Sequence, residues 1–179
     1  MVTINLPSAG DGSLNEYGYV LLIAIWIAFQ CYMTGFVLVG GKRKKTYTAE
    51  YMTKNYNAEH LKAFPGDKAV PKSGYPDTGS GWYSSKLTYK QWFEFNVAQR
   101  IHMNFLEQLF LVLFLILAAG ISYPAYTVYA GLAYIVGRLA MAIGYLRSVK
   151  GRIPGGVLVN ASAAALFLMS SLSLWKLAQ

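Results

Sequence analysis

The chain has 179 residues, of which 55% are hydrophobic and 13% charged, and its formal net charge is +8. Average soluble domains carry about 25% charged residues, so this composition argues against an ordinary soluble protein and favours a single membrane domain over residues 1–179. The basic excess fits contact with a membrane surface better than contact with nucleic acid, and we predict no nucleic-acid partner.

Cysteine usage and the amino-terminal residues give further evidence on the class of protein. The single cysteine, Cys31, lies in an apolar run, so we expect it to be a packing residue without a disulfide. No cluster of side chains has metal-ligand spacing. Residues 1–16 contain two acidic residues and no lysine or arginine, which does not fit a cleavable signal peptide or a mitochondrial presequence. The first apolar run is therefore expected to be an uncleaved anchor.

The first predicted element, after a polar lead-in over 1–14, is a membrane span over 17–39. A bilayer core of about 30 Å needs about 20 helical residues, which this apolar run provides. Tyr17 and Tyr19 suit the interface at one end of the span, and the basic run at 42–45 marks the other end.

A long polar segment over 46–92 follows, and with the basic run it makes a surface loop over 42–92. We predict that it lies on the membrane surface with a short helix at about 49–62. A connection of this length with little regular structure is usually functional or disordered. Its aromatic residues favour a packed loop over a free one. With regard to function, a solvated insertion without chemistry is preferred to a catalytic role. These aromatic residues are Tyr75, Trp82, Tyr83, Tyr89 and Trp92.

Three more spans are predicted over 94–120, 125–147 and 155–177. A tight turn joins the second span to the third, and a short basic loop over 148–154 joins the third to the fourth. The predicted fold class is therefore an all-α integral membrane protein, a four-transmembrane-helix up-down bundle.

The distribution of basic residues predicts the orientation of the bundle. Ten of the 16 lysine and arginine residues lie in 42–92, and three more lie at 147–152. By the positive-inside rule, these two loops face the cytosol or, in a mitochondrion, the matrix, and both termini face the other side.

Polar side chains recur along the first half of the second span. Asn96, Arg100, Asn104 and Glu107 are spaced by four, four and three residues, which places them on one stripe of a helix. A charged side chain deep in a bilayer costs roughly 2.5–3.5 kcal/mol on insertion scales, so this stripe needs partners. His102 lies off the stripe, and taken alone it favours a packing role.

The third span and the loop after it supply possible partners. Arg138 lies within the third span, and Tyr145, seven residues later, projects from the same face. With Arg152 and the stripe, these residues predict an arginine-rich pocket in one half of the membrane, suited to a small anion with carboxylates. An ion pair of Arg100 or Arg138 with Glu107 is the structural alternative. One carboxylate cannot neutralise three arginines, however, so a further anion is expected.

Two stretches of the chain resemble the characteristic segments of a known superfamily. FNVAQRIHMNFLE at 95–107 and GLAYIVGRLAMAIGY at 131–145 resemble the MAPEG superfamily, the membrane-associated proteins in eicosanoid and glutathione metabolism. EYGYVLL at 16–22, followed by KRKK at 42–45, is most similar to the branch of microsomal glutathione S-transferase type 3. The resemblance covers all four spans and implies a homotrimer that binds glutathione, its co-substrate, between neighbouring subunits near the cytosolic face.

The resemblance also implies roles for individual residues. Arg152 matches the arginine that stabilises the glutathione thiolate, and is therefore the implied catalytic residue. Arg43 and Lys44 match a basic pair that reaches a neighbour's site. The implied glutathione-binding positions are Arg100, His102, Asn104, Glu107, Arg138, Tyr145, Arg43 and Lys44.

Two functions of different class follow. The first is a membrane-bound glutathione transferase or peroxidase of the endoplasmic reticulum or a mitochondrial membrane, acting on lipophilic electrophiles or lipid hydroperoxides. The second is an accessory subunit of a larger membrane complex, such as a mitochondrial respiratory-chain assembly, whose site only binds a membrane lipid or glutathione. Met141 and Gln108, where relatives have tyrosines, and the long loop favour the second. A channel or transporter has little support, because the polar residues do not continue through 109–119.

Overall fold

The computed structural model describes the backbone of residues 13–179 and the side chains from Glu16 onwards. Most of the predicted lead-in lies outside this range. The described elements are helical and follow one another along the chain: α1 (Ser13–Met33), a π-helical segment (Thr34–Val39), α2 (Gly40–Thr46), α3 (Ala49–Ala63), α4 (Tyr89–Gly120), α5 (Pro124–Arg147) and α6 (Arg152–Leu177). Short 3₁₀ turns occur at Lys72–Gly74 and Trp82–Ser84.

Four of these helical stretches are long and apolar enough to cross a membrane, namely Glu16–Thr46, Tyr89–Gly120, Pro124–Arg147 and Arg152–Leu177. With no strand among the described residues, this confirms the predicted four-helix, all-α fold class. The helices extend beyond the predicted spans. The basic run at 42–45 is helical, and Arg152 begins α6, so the prediction that Arg152 lies in a loop was wrong.

Local signals explain where α4 and α6 begin. The Thr88 hydroxyl accepts a hydrogen bond from the Gln91 backbone N–H at 3.4 Å, and the Gln91 side chain accepts one from the Thr88 N–H at 3.1 Å. This reciprocal pair is a capping box, which starts α4 five residues before the predicted span. Pro154 lies in the first turn of α6, where a helix tolerates proline because the missing N–H has no intrahelical partner.

The chain divides into two compact units. The bundle unit comprises the amino-terminal part of the chain through Cys31 together with Phe105–Gln179, and the loop unit comprises Tyr32–Asn104. The bundle unit has an apolar core to which four helices contribute. Its buried members include Val20, Ile27, Cys31, Val112, Ile116, Tyr134, Val159 and Leu166. Cys31 is only 1% exposed, as a packing residue should be.

Glycines let α5 and α6 pack backbone against backbone within the bundle unit. A Cβ atom built on Gly144 would lie 2.0 Å from the Gly151 carbonyl oxygen, and one built on Gly155 would lie 2.1 Å from the Met141 nitrogen. Helix pairs in membranes commonly use small residues in this way, because close approach replaces the hydrophobic driving force that lipid cannot supply. The register of α6 on α5 is therefore set by these glycines.

The loop unit has an apolar core of its own. Of the five aromatic residues on which the predicted packing depends, Tyr83 packs against this core, whereas Tyr75, Trp82, Tyr89 and Trp92 are exposed. Helix α3 begins at the Thr48 cap, whose hydroxyl accepts from the Tyr51 N–H at 3.1 Å, close to the predicted helix start. The buried members of the core are Val39, Tyr47, Met52, Tyr56, Val70 and Phe95. A solvated insertion would not bury so many large side chains, so this segment folds as a structured unit.

A buried carboxylate organises the irregular part of the loop unit. Asp77 is 6% exposed and accepts hydrogen bonds from the backbone N–H groups of Gly79, Gly81 and Ser84 at 2.7, 3.0 and 2.8 Å. The Ser84 hydroxyl also donates to it at 2.9 Å. Burial alone would raise the pKa of Asp77, but these hydrogen bonds outweigh burial and hold the pKa below its usual range.

This carboxylate should make the loop unit sensitive to acid. Because the folded pKa of Asp77 is lowered, its stabilisation is present above the unfolded value of about 3.9 and is lost as pH falls through the folded pKa. Asp77→Asn should destabilise the unit by about 1–3 kcal/mol at neutral pH, because several N–H donors lose a charged acceptor. Amide hydrogen exchange of residues 74–84, followed between pH 7 and 3 and corrected for intrinsic exchange rates, measures this loss of stability.

Glu50→Gln is the matched control for this change. Glu50 is an exposed carboxylate in the first turn of α3, so its substitution should leave exchange in 74–84 unchanged. Equal exchange in Asp77→Asn and the wild type at neutral pH would show that the carboxylate does not hold the turn.

Candidate functional site

The polar stripe of α4 divides in two in the folded chain. Asn96 donates to the carbonyl oxygens of Gly79 and Trp92 at 3.0 and 2.9 Å, so it holds the loop unit together. Arg100 and Glu107 are both exposed on this apolar helix, and Arg100 donates to the Asn104 side chain at 3.4 Å. Charged side chains are rare in membrane spans and often mark functional sites.

His102 packs against a glycine in the π-helical segment. A Cβ atom on Gly35 would lie 2.7 Å from Cε1 of the His102 imidazole, so the ring occupies the space that a side chain at Gly35 would fill. This contact gives His102 a packing role in the loop unit. Its implied contribution to glutathione binding stays a prediction.

Arg138 is buried at 5% exposure and held by polar and aromatic partners. Its Nε and Nη2 atoms lie 3.0 and 2.7 Å from the Tyr134 hydroxyl oxygen, and Nη2 donates to Gln108 Oε1 at 2.5 Å. The guanidinium also lies 4.5 Å from the centre of the Phe105 ring. In the sequence, Gln108 is notable only because relatives have a tyrosine at this position. In the fold, its side chain accepts a hydrogen bond from Arg138.

Tyr145 and Arg152 meet at the end of the α5–α6 hairpin. The Arg152 guanidinium lies 5.0 Å from the centre of the Tyr145 ring, a cation–π distance. Both side chains are half-buried. The close approach of Gly144 and Gly151 immediately before them brings the two helices near enough for this contact. Tyr145 and Arg152 therefore contact each other at this end of the hairpin, and their implied roles toward glutathione stay predictions.

Arg43 and Lys44, two of the basic residues of α2, are in different environments. Arg43 is 4% exposed, and its guanidinium lies 4.2 Å from the centre of the Tyr75 ring and 5.1 Å from that of Phe95. It donates to the carbonyl oxygens of Ser73 and Gly74 at 3.4 and 3.3 Å. Lys44 is exposed. Arg43 thus anchors the loop unit, and its implied reach into a neighbour's site stays a prediction.

Fold and side chains together define a class of protein. The chain is a multi-pass membrane protein whose apolar helices carry arginines, amides and a carboxylate at positions where lipid alone could not solvate them. Among the described residues, no group of three or more histidine, cysteine, aspartate or glutamate side chains could hold a metal ion.

Comparison with known proteins gives the particular family. The sequence model of the MAPEG family matches residues 18–172, which is most of the chain, and the chain belongs to this family. Members of the family generally use glutathione. No match to a curated protein was found.

Proposed function

We propose that the chain is a membrane-bound glutathione transferase or peroxidase that acts on lipophilic electrophiles or lipid hydroperoxides, most similar to microsomal glutathione S-transferase type 3. The observation that carries this proposal is the exposure of Arg100 and Glu107 on an apolar helix of a MAPEG-family chain. A cation and an anion exposed on the same membrane helix can each bind a group of opposite charge on a polar ligand.

Glutathione has the chemistry of that partner. It carries two carboxylates and one ammonium group, joined by a short peptide. Arg100 offers a forked donor for a carboxylate, and Glu107 offers an acceptor for the ammonium group. Asn104, next to Arg100, suits the peptide groups of the ligand. Further proposed ligands are His102, Arg138, Tyr145 and Lys44, with Arg43 holding the adjacent end of the first membrane helix.

The same exposed charges support an oligomer. An exposed arginine or carboxylate facing lipid would cost roughly 2.5–3.5 kcal/mol on insertion scales, and a neighbouring subunit removes that cost by covering the site. We propose that this oligomer is the homotrimer that the family resemblance implies, in the membrane of the endoplasmic reticulum or the mitochondrion, with the basic loops facing the cytosol or the matrix.

Arg152 is the proposed catalytic residue. A free thiol titrates near 8.5, so only a few per cent of it is thiolate at neutral pH, and a nearby guanidinium favours the anion. The thiolate sulfur forms a bond to an electrophilic carbon while the leaving group departs with its electron pair. In the peroxidase reaction, two glutathione molecules reduce one lipid hydroperoxide to an alcohol and water and are oxidised to the disulfide.

Replacing Arg152 tests this role. Arg152→Ala should raise the pKa of the bound thiol and remove most thiolate absorbance at neutral pH, with little loss of glutathione affinity, because the guanidinium acts on the sulfur and not on the peptide. A pH titration of thiolate absorbance in saturating glutathione measures this. Arg147→Ala, at an exposed arginine five residues earlier, is the control. An unaltered titration in Arg152→Ala would remove Arg152 from the mechanism.

A second function, an accessory subunit of a larger membrane complex such as a respiratory-chain assembly, is favoured by two observations. Tyr134 and Gln108 already accept hydrogen bonds from Arg138. The loop unit also has its own buried core, a feature suited to contact with other proteins. In this case the site would bind glutathione or a membrane lipid without activating a thiol.

A further inference from the structure

The loop unit contains an aromatic cleft that the proposed glutathione chemistry does not use. The cleft has a volume of about 300 Å³ and is lined by Tyr56, Glu59, His60, Ala63, Trp82 and Tyr83. All six residues belong to the loop unit, on α3 and on the 3₁₀ turn at Trp82–Ser84. The volume is at the lower end of the range for small-molecule sites.

The walls of the cleft are fixed by hydrogen bonds. Trp82 is 72% exposed, yet its Nε1–H donates to Glu59 Oε2 at 3.0 Å, which orients the indole ring. The Tyr56 hydroxyl donates to the Tyr83 carbonyl oxygen at 3.2 Å, and the two tyrosine rings pack edge to face with centres 5.1 Å apart. The cleft is therefore a set of oriented aromatic faces and not a mobile surface patch.

The charge of the cleft favours a cation. The described residues that line it include the carboxyl side chain of Glu59 and no lysine or arginine. The chain itself places an ammonium group here: Lys86 Nζ lies 4.6 Å from the centre of the Tyr56 ring and 3.6 Å from Glu59 Oε1. An aromatic face beside a carboxylate is the environment that stabilises cations through the ring quadrupole.

The hydrogen bonding of Glu59 selects the kind of cation. One of its oxygens accepts from Trp82, and the other lies next to Lys86. A ligand that must donate several N–H bonds would have to compete with these groups. A quaternary ammonium ion has no N–H, and needs only aromatic faces and a nearby negative charge. We propose that the aromatic cleft binds a trimethylammonium group, either in a free choline compound or in the headgroup of a choline lipid.

The full-length protein in a maltoside detergent, which contains no choline, allows a direct test. Saturation transfer from the protein to the N-methyl protons of phosphocholine should be seen with the wild type. Trp82→Leu should weaken binding about two- to fivefold, the factor that a cation–π contact contributes at an exposed site such as this one. Lys86→Met should tighten binding several-fold, because it removes the competing internal cation.

Trp175→Leu is the matched control, because Trp175 is an equally exposed tryptophan, at 67%, in α6. Native mass spectrometry with mixed micelles of phosphatidylcholine and phosphatidylglycerol tests the lipid source. If the protein preferentially retains phosphatidylcholine, and this preference is lost in Trp82→Leu and kept in Trp175→Leu, the site binds a lipid headgroup. If phosphocholine alone binds, the site takes a free solute. The proposal is overturned if neither probe binds, or if Trp82→Leu binds as the wild type does.

Discussion

Gly155→Val is expected to disrupt the α5–α6 hairpin, whereas Gly156→Val is expected to leave it intact. A Cβ atom on Gly155 would lie 2.1 Å from the Met141 nitrogen and 2.7 Å from the Gly137 carbonyl oxygen, both of which are backbone atoms. A Cβ atom on Gly156 would meet no atom within 4 Å. Overpacking a close contact typically costs 1–3 kcal/mol or more, and here two helix backbones must separate.

The neighbouring glycines make this comparison a matched pair. Both lie in the first turns of α6, so helix propensity changes equally in the two variants. Thermal unfolding in detergent, followed by tryptophan fluorescence and size-exclusion chromatography, should show a large loss for Gly155→Val and almost none for Gly156→Val. Equal midpoints for the two variants would contradict the backbone packing described above.

Arg100→Ala is expected to weaken glutathione binding by about tenfold to a hundredfold. Hydrogen bonds to charged groups contribute about 1.5–3 kcal/mol, and truncation of this arginine would leave a ligand carboxylate without its donor. Because Arg100 is exposed, its removal should not disturb the core of either unit. Isothermal titration of the detergent-purified protein with glutathione measures the change.

The exposed Arg147 provides the charge-matched control for this experiment. Arg147→Ala removes the same positive charge from the last turn of α5 and should leave glutathione affinity nearly unchanged. If Arg100→Ala binds glutathione as tightly as the wild type, the proposed pocket is wrongly placed.

The membrane helices could be predicted because their signal is local. Length and hydropathy suffice to identify a span of about 20 apolar residues. The predicted positions of the helix ends were less accurate, although the signals that determine them are also local. The capping box of Thr88 and Gln91 starts α4 before the predicted span, and Pro154 lies in the first turn of α6, which accepts proline, and not in the predicted loop.

The environments of individual charged residues were harder to predict, because they depend on contacts between distant segments. Arg43 belongs to a basic run that is typical of the positive side of a membrane helix, yet it is buried by Tyr75 and Phe95, which lie 32 and 52 residues further along the chain. Gln108 likewise gains its role only when α5 brings Arg138 beside it. Neither contact leaves a periodic pattern in the sequence.

Equilibrium binding of glutathione to the detergent-purified wild type, monitored by thiolate absorbance near neutral pH, tests the proposed transferase function most directly. Binding accompanied by thiolate absorbance is the predicted result, and lipid electrophiles would then be tested as substrates. Binding without thiolate absorbance would contradict the catalytic role of Arg152 and favour a site that only holds the peptide. Absence of binding would contradict the proposed function altogether, and the partners of the loop unit would become the next question.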